Sequence, residues 1–153
     1  MKLSHTTYSC FAASVGDYVV VAGGANDPSL SNAVDIFNIR SLTFVKTVQM
    51  SQARMTGAIG VLGPFVYIAG GATQNWDQAD SSTILGTVEV VDSRDWSVFP
   101  APSLASPRRQ LMGASVPGYG VYFIGGWGGT PLYDAVTTID YYTCGNGVRI
   151  KVS

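Results

Sequence analysis

Three short apolar runs recur along the chain, and each is followed at once by a pair of glycines. The runs cover residues 17–22, 64–69 and 119–124, and the pairs are Gly23-Gly24, Gly70-Gly71 and Gly125-Gly126. Because apolar and polar residues do not alternate in the first two runs, both faces of these strands are predicted to be buried. No stretch repeats apolar residues at intervals of three and four, which predicts essentially no helix.

The spacing between the glycine pairs, 47 and then 55 residues, identifies the chain as an internal repeat. The 47-residue offset runs without a gap from Leu3 to Ala25 of the first unit, and the 55-residue offset matches Arg54 with Arg109. Each unit is predicted to hold four short strands, A to D, bounded by Gly, Asn, Asp and Pro. The three units cover about residues 3–49, 50–104 and 105–153.

The composition of strand A predicts how the units are arranged. Residues 10–15, 57–62 and 113–116 are rich in Ala, Gly and Ser, as expected of strands that converge on a common axis without room for large side chains. Strand C carries an acidic residue at one recurring place, which favours a repeated structural hydrogen bond; these residues are Asp35, Glu89 and Asp140. Small antiparallel sheets that stack face to face and crowd their inner strands form a β-propeller.

These features together resemble the kelch repeat. The matching pieces are the glycine pairs, the apolar run before each pair, the start of strand C and an aromatic residue of strand D. Phe44 and Trp96 are the strand D aromatics, seven residues after Phe37 and five after Val91, whereas Thr7 stands where the other units have Arg. The resemblance implies kelch-type β-propeller blades, about three four-stranded antiparallel sheets, in which the six paired glycines, Phe44 and Trp96 are structural.

Three blades are too few for a closed ring, because propellers close with about four to eight blades. Repeats bury their apolar faces only against neighbours, so each outermost sheet would leave one face in water. An uncovered area of ~500 Å² would forfeit ~12 kcal/mol per face, as much as the whole stability of a domain. We therefore expect an incomplete, open ring whose edges are covered by missing blades of a longer propeller or by self-association.

Composition and charge exclude several classes of protein. Hydrophobic residues make up 46% of the 153-residue chain and charged residues 12%, which is the opposite of a disordered composition. Nine basic and ten acidic side chains leave no basic excess for nucleic acid. No apolar run approaches the ~18 residues of a membrane span, and the first residues do not form a signal peptide. We expect neither nucleic acid nor membrane as a partner, and a cytoplasmic location.

Cysteine and histidine are too few for a metal centre or a disulfide framework. Cys10 and Cys144 are the only thiols and His5 is the only imidazole, so we predict no metal and no cofactor. Two free thiols are expected in a reducing compartment, with a Cys10–Cys144 disulfide as the alternative.

Strand B is the apolar run before each glycine pair. Candidate binding residues lie at the end of the sheets where strand B leads into strand C. In an antiparallel meander this end also holds the segment before strand A, so the B–C loops and the arginines of that segment share one rim. Trp, Tyr and Arg anchor protein interfaces, and Arg suits acidic segments; packing or pairing within the fold is the alternative for each. The candidate binding residues are Arg54, Arg109, Asn75, Trp76, Asp77, Trp127 and Tyr133.

The sequence thus predicts a non-catalytic interaction module or scaffold that binds an unidentified protein or peptide through this rim, as many kelch propellers do. The alternative is a fragment of a kelch-propeller enzyme, galactose-oxidase-like or sugar-isomerising, whose active-site residues lie outside this chain. For the oxidases the resemblance implies a copper site of two His, Tyr residues and a Tyr–Cys crosslink, and His5 alone does not supply it. No Ser lies in a nucleophile motif, so no catalytic residue is predicted.

Overall fold

The chain folds entirely into β-strands and turns in the residues that the structure, a computed structural model, describes: 2–4, 7–26, 28–74, 83–128 and 134–143. These residues form fifteen strands and no α-helix, and every strand pairs antiparallel with its neighbours in several separate sheets. The described sheets do not close into a barrel. The predicted all-β, open, propeller-like arrangement is therefore confirmed.

Two complete blades follow one another along the chain, each a meander in which strands A to D lie side by side. Blade 1 consists of β1 (Phe11–Val15), β2 (Tyr18–Ala22), β5 (Ala33–Asn38) and β6 (Thr43–Gln49). Blade 2 consists of β7 (Ala58–Leu62), β8 (Phe65–Ala69), β9 (Val88–Asp92) and β10 (Val98–Ala101). The order of four strands predicted for each unit is present in both.

Blade 3 shows strands A to C among the described residues. These are β11 (Met112–Val116), β12 (Gly120–Ile124) and β15 (Ile139–Tyr142). Residues 144–153, in which the fourth strand predicted for this unit would lie, are outside the described residues.

Short two-stranded hairpins occupy the B–C loops of the first and third blades. They pair β3 (Ala25–Asn26) with β4 (Ser29–Leu30), and β13 (Trp127–Gly128) with β14 (Asp134–Ala135). Each is held by two backbone hydrogen bonds of 2.8–2.9 Å to the segment before strand A of its own blade, between Ala25 and Tyr8 and between Trp127 and Arg109. The B–C loops and the segments before strand A therefore share one rim, as predicted.

The blades stack face to face, and two cores lie between them. We call the face that a blade turns to the next blade its forward face, and the opposite face its rear face. The first core joins Val20, Ala22 and Ile36 of the forward face of blade 1 to Val66, Ile68 and Val91 of the rear face of blade 2. The second joins Ala58, Ala69 and Val88 of the forward face of blade 2 to Val121, Phe123 and Tyr142 of blade 3.

The glycine pairs after strand B lie where one blade meets the next. The Gly24 N–H donates to the Arg54 carbonyl oxygen of blade 2 (2.8 Å), and the Gly71 N–H donates to that of Arg108 in blade 3 (2.9 Å). The φ angles are +62° at Gly70 and +100° at Gly71, where L side chains are disfavoured. A Cβ on Gly70 would also lie 2.5 Å from the Arg108 carbonyl oxygen. Backbone conformation and close approach of the blades both require glycine here.

The third A–B hairpin is one residue longer than the others, and this corrects the predicted alignment. Residues 117–119 connect β11 to β12, whereas two residues form the corresponding turn of each earlier blade. Between the second and third units the offset is therefore 54 residues before this turn and 55 residues after it. Arg54 corresponds in structure to Arg108, not to Arg109 as the sequence offset predicted.

Trp96 lies in the turn before β10, and not in strand D where the sequence placed it. It has a φ of +64° and packs edge-on against Tyr18 of blade 1, with ring centroids 5.0 Å apart, so it does lie between blades. Its counterpart in blade 1 is Leu42, four residues after the end of strand C in both blades, with a φ of +54°. Phe44 lies within β6, packs edge-on against Phe37 (5.6 Å) on the rear face of blade 1, and is 46% exposed.

Replacing Trp96 with alanine is expected to lower the free energy of unfolding by about 1–3 kcal/mol, because a half-buried aromatic contact between two blades is lost. The matched control is Leu42→Ala, since Leu42 is 65% exposed at the same place of the turn and should have no measurable effect in dilute solution. Urea unfolding measures both. Equal losses in the two variants would show that Trp96 does not join the blades.

Candidate functional site

The acidic residue of strand C has the same partner in all three blades. Asp35, Glu89 and Asp140 are buried, and each accepts a hydrogen bond from a backbone N–H in the segment before strand A of its own blade. The donors are Ser4 (2.7 Å), Ser51 (2.8 Å) and Ala105 (2.9 Å). The predicted repeated structural hydrogen bond is confirmed.

A buried arginine completes this network in blade 2. Arg54 Nη2 lies 2.6 Å from Glu89 Oε1, and the guanidinium also donates to the carbonyl oxygens of Gly70 and Thr87 (3.1 and 3.2 Å). The Arg54 side chain is fully buried. This burial lowers the pKa of the Arg54 guanidinium, and the Glu89 carboxylate opposes that shift.

Blade 3 repeats the arrangement with Arg108. Its Nη2 lies 2.7 Å from Asp140 Oδ2, and the guanidinium donates to the Phe123 carbonyl oxygen (2.9 Å) and to the Thr138 hydroxyl (3.1 Å). The corresponding hydroxyl in blade 2, that of Thr87, accepts from Arg54 (3.1 Å). The network is thus a feature of the repeat and not of one blade.

Blade 1 satisfies its carboxylate without an arginine. Thr7 stands at the position of Arg54 and Arg108, and its hydroxyl donates to the Gly23 carbonyl oxygen (3.2 Å). The Asp35 carboxylate accepts instead from the hydroxyls of Ser4 (2.8 Å) and Thr47 (2.6 Å). Among the described residues, neutral donors therefore take the place of the arginine in this blade.

The two arginines that the sequence offered as binding residues lie inside the fold. Arg54 is fully buried and Arg109 is 2% exposed. Arg109 pairs through its backbone with Trp127 (2.9 and 2.8 Å). Their burial favours the structural alternative for both residues. The expected preference for acidic partner segments relied on exposed arginines, so it is no longer supported.

Exposed aromatic side chains lie on the rim instead. Trp127 is 41% exposed at the start of the third B–C loop, and Tyr8 is 47% exposed in the segment before β1. Sequence reasoning did not select Tyr8, and the repeat gave no signal for its exposure, because the corresponding residues Met55 and Arg109 are buried. Both exposed rings stand on backbone that is fixed by the rim hydrogen bonds described above.

The remaining candidates on the second and third B–C loops lie outside the described residues. They are Asn75, Trp76, Asp77 and Tyr133. Among the described residues of the three loops, the charged residue is Asp134 of β14, and residues 25–26, 28–32, 72–74, 83–86, 127–128 and 135–138 carry no charged side chain. These uncharged parts of the rim offer aromatic and neutral hydrogen-bonding groups.

Three further observations bear on the chemistry of the chain. Among the described residues no group of three or more His, Cys, Asp or Glu side chains is arranged to hold a metal ion. Cys10 is a free, exposed thiol, and Cys144 lies outside the described residues. No helix in the described ranges has the length and apolar character needed to cross a membrane.

Comparison of the chain with protein-family models finds no match, and a search of curated proteins finds no significant similarity. The kelch resemblance therefore stays a prediction that rests on the residues of this chain.

Proposed function

We propose that the chain is a non-catalytic interaction module, built from kelch-type blades, that binds a protein or peptide through its B–C rim. The observation that carries this proposal is Trp127, a large aromatic side chain that stays 41% exposed although both backbone groups of the residue are fixed. Rigidly held, exposed Trp and Tyr side chains are the usual anchors of protein interfaces.

The buried acidic side chains all serve the structure of their blades, which supports a binding module over an enzyme. General acid–base chemistry needs a titratable group that can reach a substrate. Asp35, Glu89 and Asp140 all accept structural hydrogen bonds inside their blades, and two of them also hold buried arginines. The free Cys10 thiol supports a reducing compartment such as the cytoplasm.

The chemistry of the described rim defines the partner. Its described loop residues carry one charge, the acidic Asp134, and the rim exposes Trp127, Tyr8 and Asn26. Such a surface suits a peptide that inserts an apolar or aromatic side chain and hydrogen-bonds through its own backbone. We therefore propose a neutral peptide segment, and not an acidic one, as the ligand.

A display selection tests this function directly. A library of random peptides is selected on the purified chain, and the enriched peptides are measured against Trp127→Ala and against Tyr119→Ala. Loss of an interface anchor should weaken binding by about tenfold or more. Tyr119 is the matched control, because it is 70% exposed in the A–B turn at the opposite end of blade 3 and should leave binding unchanged.

Two outcomes would contradict the proposal. Enriched peptides that bind both variants equally well would show that the rim is not the binding surface. A selection that enriches no specific peptide, with a folded chain as bait, would remove the support for an interaction module.

A further inference from the structure

Two blade faces have no neighbour among the described residues: the rear face of blade 1 and the forward face of blade 3. We propose that a second copy of this chain covers them, with the forward face of blade 3 in one copy seated on the rear face of blade 1 in the other. Two such contacts would join two chains into one ring of six blades. This proposal does not depend on the peptide-binding rim.

The two internal interfaces are built from the same four backbone hydrogen bonds. Between blades 1 and 2 these join Gly24 N to Arg54 O, Arg54 N to Ser31 O, Met50 N to Asn32 O and Thr56 N to Ser9 O. Between blades 2 and 3 they join Gly71 N to Arg108 O, Arg108 N to Leu85 O, Leu104 N to Gly86 O and Gln110 N to Thr56 O. Blades in this chain therefore meet in one fixed way.

The open edges of blades 1 and 3 carry the donors and acceptors for a third set of these four hydrogen bonds. On blade 3 the corresponding groups are the Gly126 N–H and the carbonyl oxygens of Val136, Thr137 and Gln110. On blade 1 they are the carbonyl oxygen of Thr7 and the N–H groups of Thr7, Leu3 and Ser9. None of these groups has a hydrogen-bond partner among the described residues. Each donor on one edge thus corresponds to an acceptor on the other.

Both open faces also expose apolar side chains at positions that pack between blades in the internal interfaces. On the rear face of blade 1, Leu42 takes the place of the interblade Trp96 and is 65% exposed. On the forward face of blade 3, Ile124 takes the place of Ala22 and Ala69, which are fully buried, and is 40% exposed. Exposed apolar faces of this kind mark interaction surfaces.

The forward face of blade 3 carries further large side chains beside Ile124. Met112 is 73% exposed, and the rings of Tyr122 and Tyr141 stack with centroids 4.6 Å apart. On the other face, Lys2, Leu3, Val19, Phe37 and Ile39 line a cavity next to Phe44. A stacked aromatic pair on one open face therefore corresponds to a cavity with mostly apolar walls on the other.

The number of copies follows from the blade count. A head-to-tail interface generates a ring if the rotation closes and a filament if it does not. Propellers close with about four to eight blades. Of the multiples of three blades, only six falls in this range, so a ring built from this chain alone would need two copies.

Native mass spectrometry and sedimentation equilibrium of the full chain test the proposal. We expect a species of twice the 16.1 kDa chain mass. Ile124→Arg and Leu42→Asp each place a charge in both contacts and should raise the dissociation constant by about 100-fold or more. Phe99→Asp is the matched control, because Phe99 is 40% exposed in blade 2, which forms neither open face, and should leave the dimer intact.

Mixing the two disruptive variants tests the head-to-tail geometry. The Leu42→Asp chain keeps an unaltered forward face on blade 3, and the Ile124→Arg chain keeps an unaltered rear face on blade 1. An equimolar mixture should therefore recover a heterodimer through one intact contact, although neither variant dimerises alone. This recovery also shows that both variants are folded.

Several results would overturn the proposal. They are a cooperatively folded monomer at tens of micromolar, a dimer that both variants leave unchanged, filaments or larger rings in place of the dimer, and a mixture that stays monomeric.

Discussion

Glu89→Ala is expected to lower the free energy of unfolding by about 3–5 kcal/mol, because it leaves the Arg54 guanidinium buried without a counter-charge. The guanidinium has no exposed surface, and its shortest contact is the 2.6 Å pair with Glu89 Oε1. The carbonyl oxygens that also accept from Arg54 do not neutralise its charge. Urea unfolding at one fixed protein concentration measures the loss.

Two controls separate the burial of charge from the loss of contacts. The double variant Arg54→Met with Glu89→Leu should recover most of the stability, since no charge is then buried. Arg40→Ala removes the exposed Arg40–Asp17 pair, which has a similar distance of 2.6 Å, and should leave the midpoint of unfolding unchanged because water screens such pairs. A small effect of Glu89→Ala would contradict the network as described.

Gly70→Ala is expected to destabilise the chain by about 2–5 kcal/mol, with about 1–2 kcal/mol from the left-handed backbone and about 1–3 kcal/mol from overpacking. The added methyl group would lie 2.5 Å from the Arg108 carbonyl oxygen and 3.0 Å from the Leu111 side chain. The blades would have to separate locally to admit it. Thermal or urea unfolding of the variant measures the total.

Gly125→Ala is the control that divides the two contributions. Gly125 has the same φ of +62°, but the nearest described atom to an added Cβ lies 3.8 Å away. In dilute solution this variant should show only the backbone cost of about 1–2 kcal/mol. Equal losses at the two glycines would mean that the blades do not meet closely at Gly70.

The order of strands could be predicted because the signals for it are local. Apolar runs and the paired glycines after them mark the A–B–C succession in each unit, and the structure has this succession in all three. The small residues of strand A were assigned to crowding, and an added Cβ on Gly113 would indeed collide with the Ile59 backbone of the neighbouring blade. The acidic residues of strand C were also assigned correctly.

The arginine and aromatic positions were predicted less well, because they depend on turn lengths. One extra residue in the A–B turn of blade 3 moves the partner of Asp140 from Arg109 to Arg108. A constant offset cannot show such a shift. Phe44 pairs with Phe37 as Val98 pairs with Val91, so the aromatic residue type did not show that Leu42, four residues after strand C, corresponds to Trp96.

Residue type alone could not show that Arg54 is a structural residue and that Tyr8 is exposed on the rim. Arginine is common both at interfaces and in buried ion pairs, and only the partner decides between them. Arg54 meets Glu89 because strand C of its own blade brings the carboxylate within 2.6 Å. Tyr8 has the same place in the repeat as the buried Met55, and it stays 47% exposed.

Residue-resolved amide hydrogen exchange at Gly24 and Gly71 tests the stacking of the blades most directly. Both N–H groups donate only across a blade interface, to the carbonyl oxygens of Arg54 and Arg108. Both amides are expected to exchange as slowly as the best-protected strand amides, through opening close to global unfolding. Exchange as fast as that of the Leu42 amide, which lies in an exposed turn of one blade, would contradict the stacking of the blades.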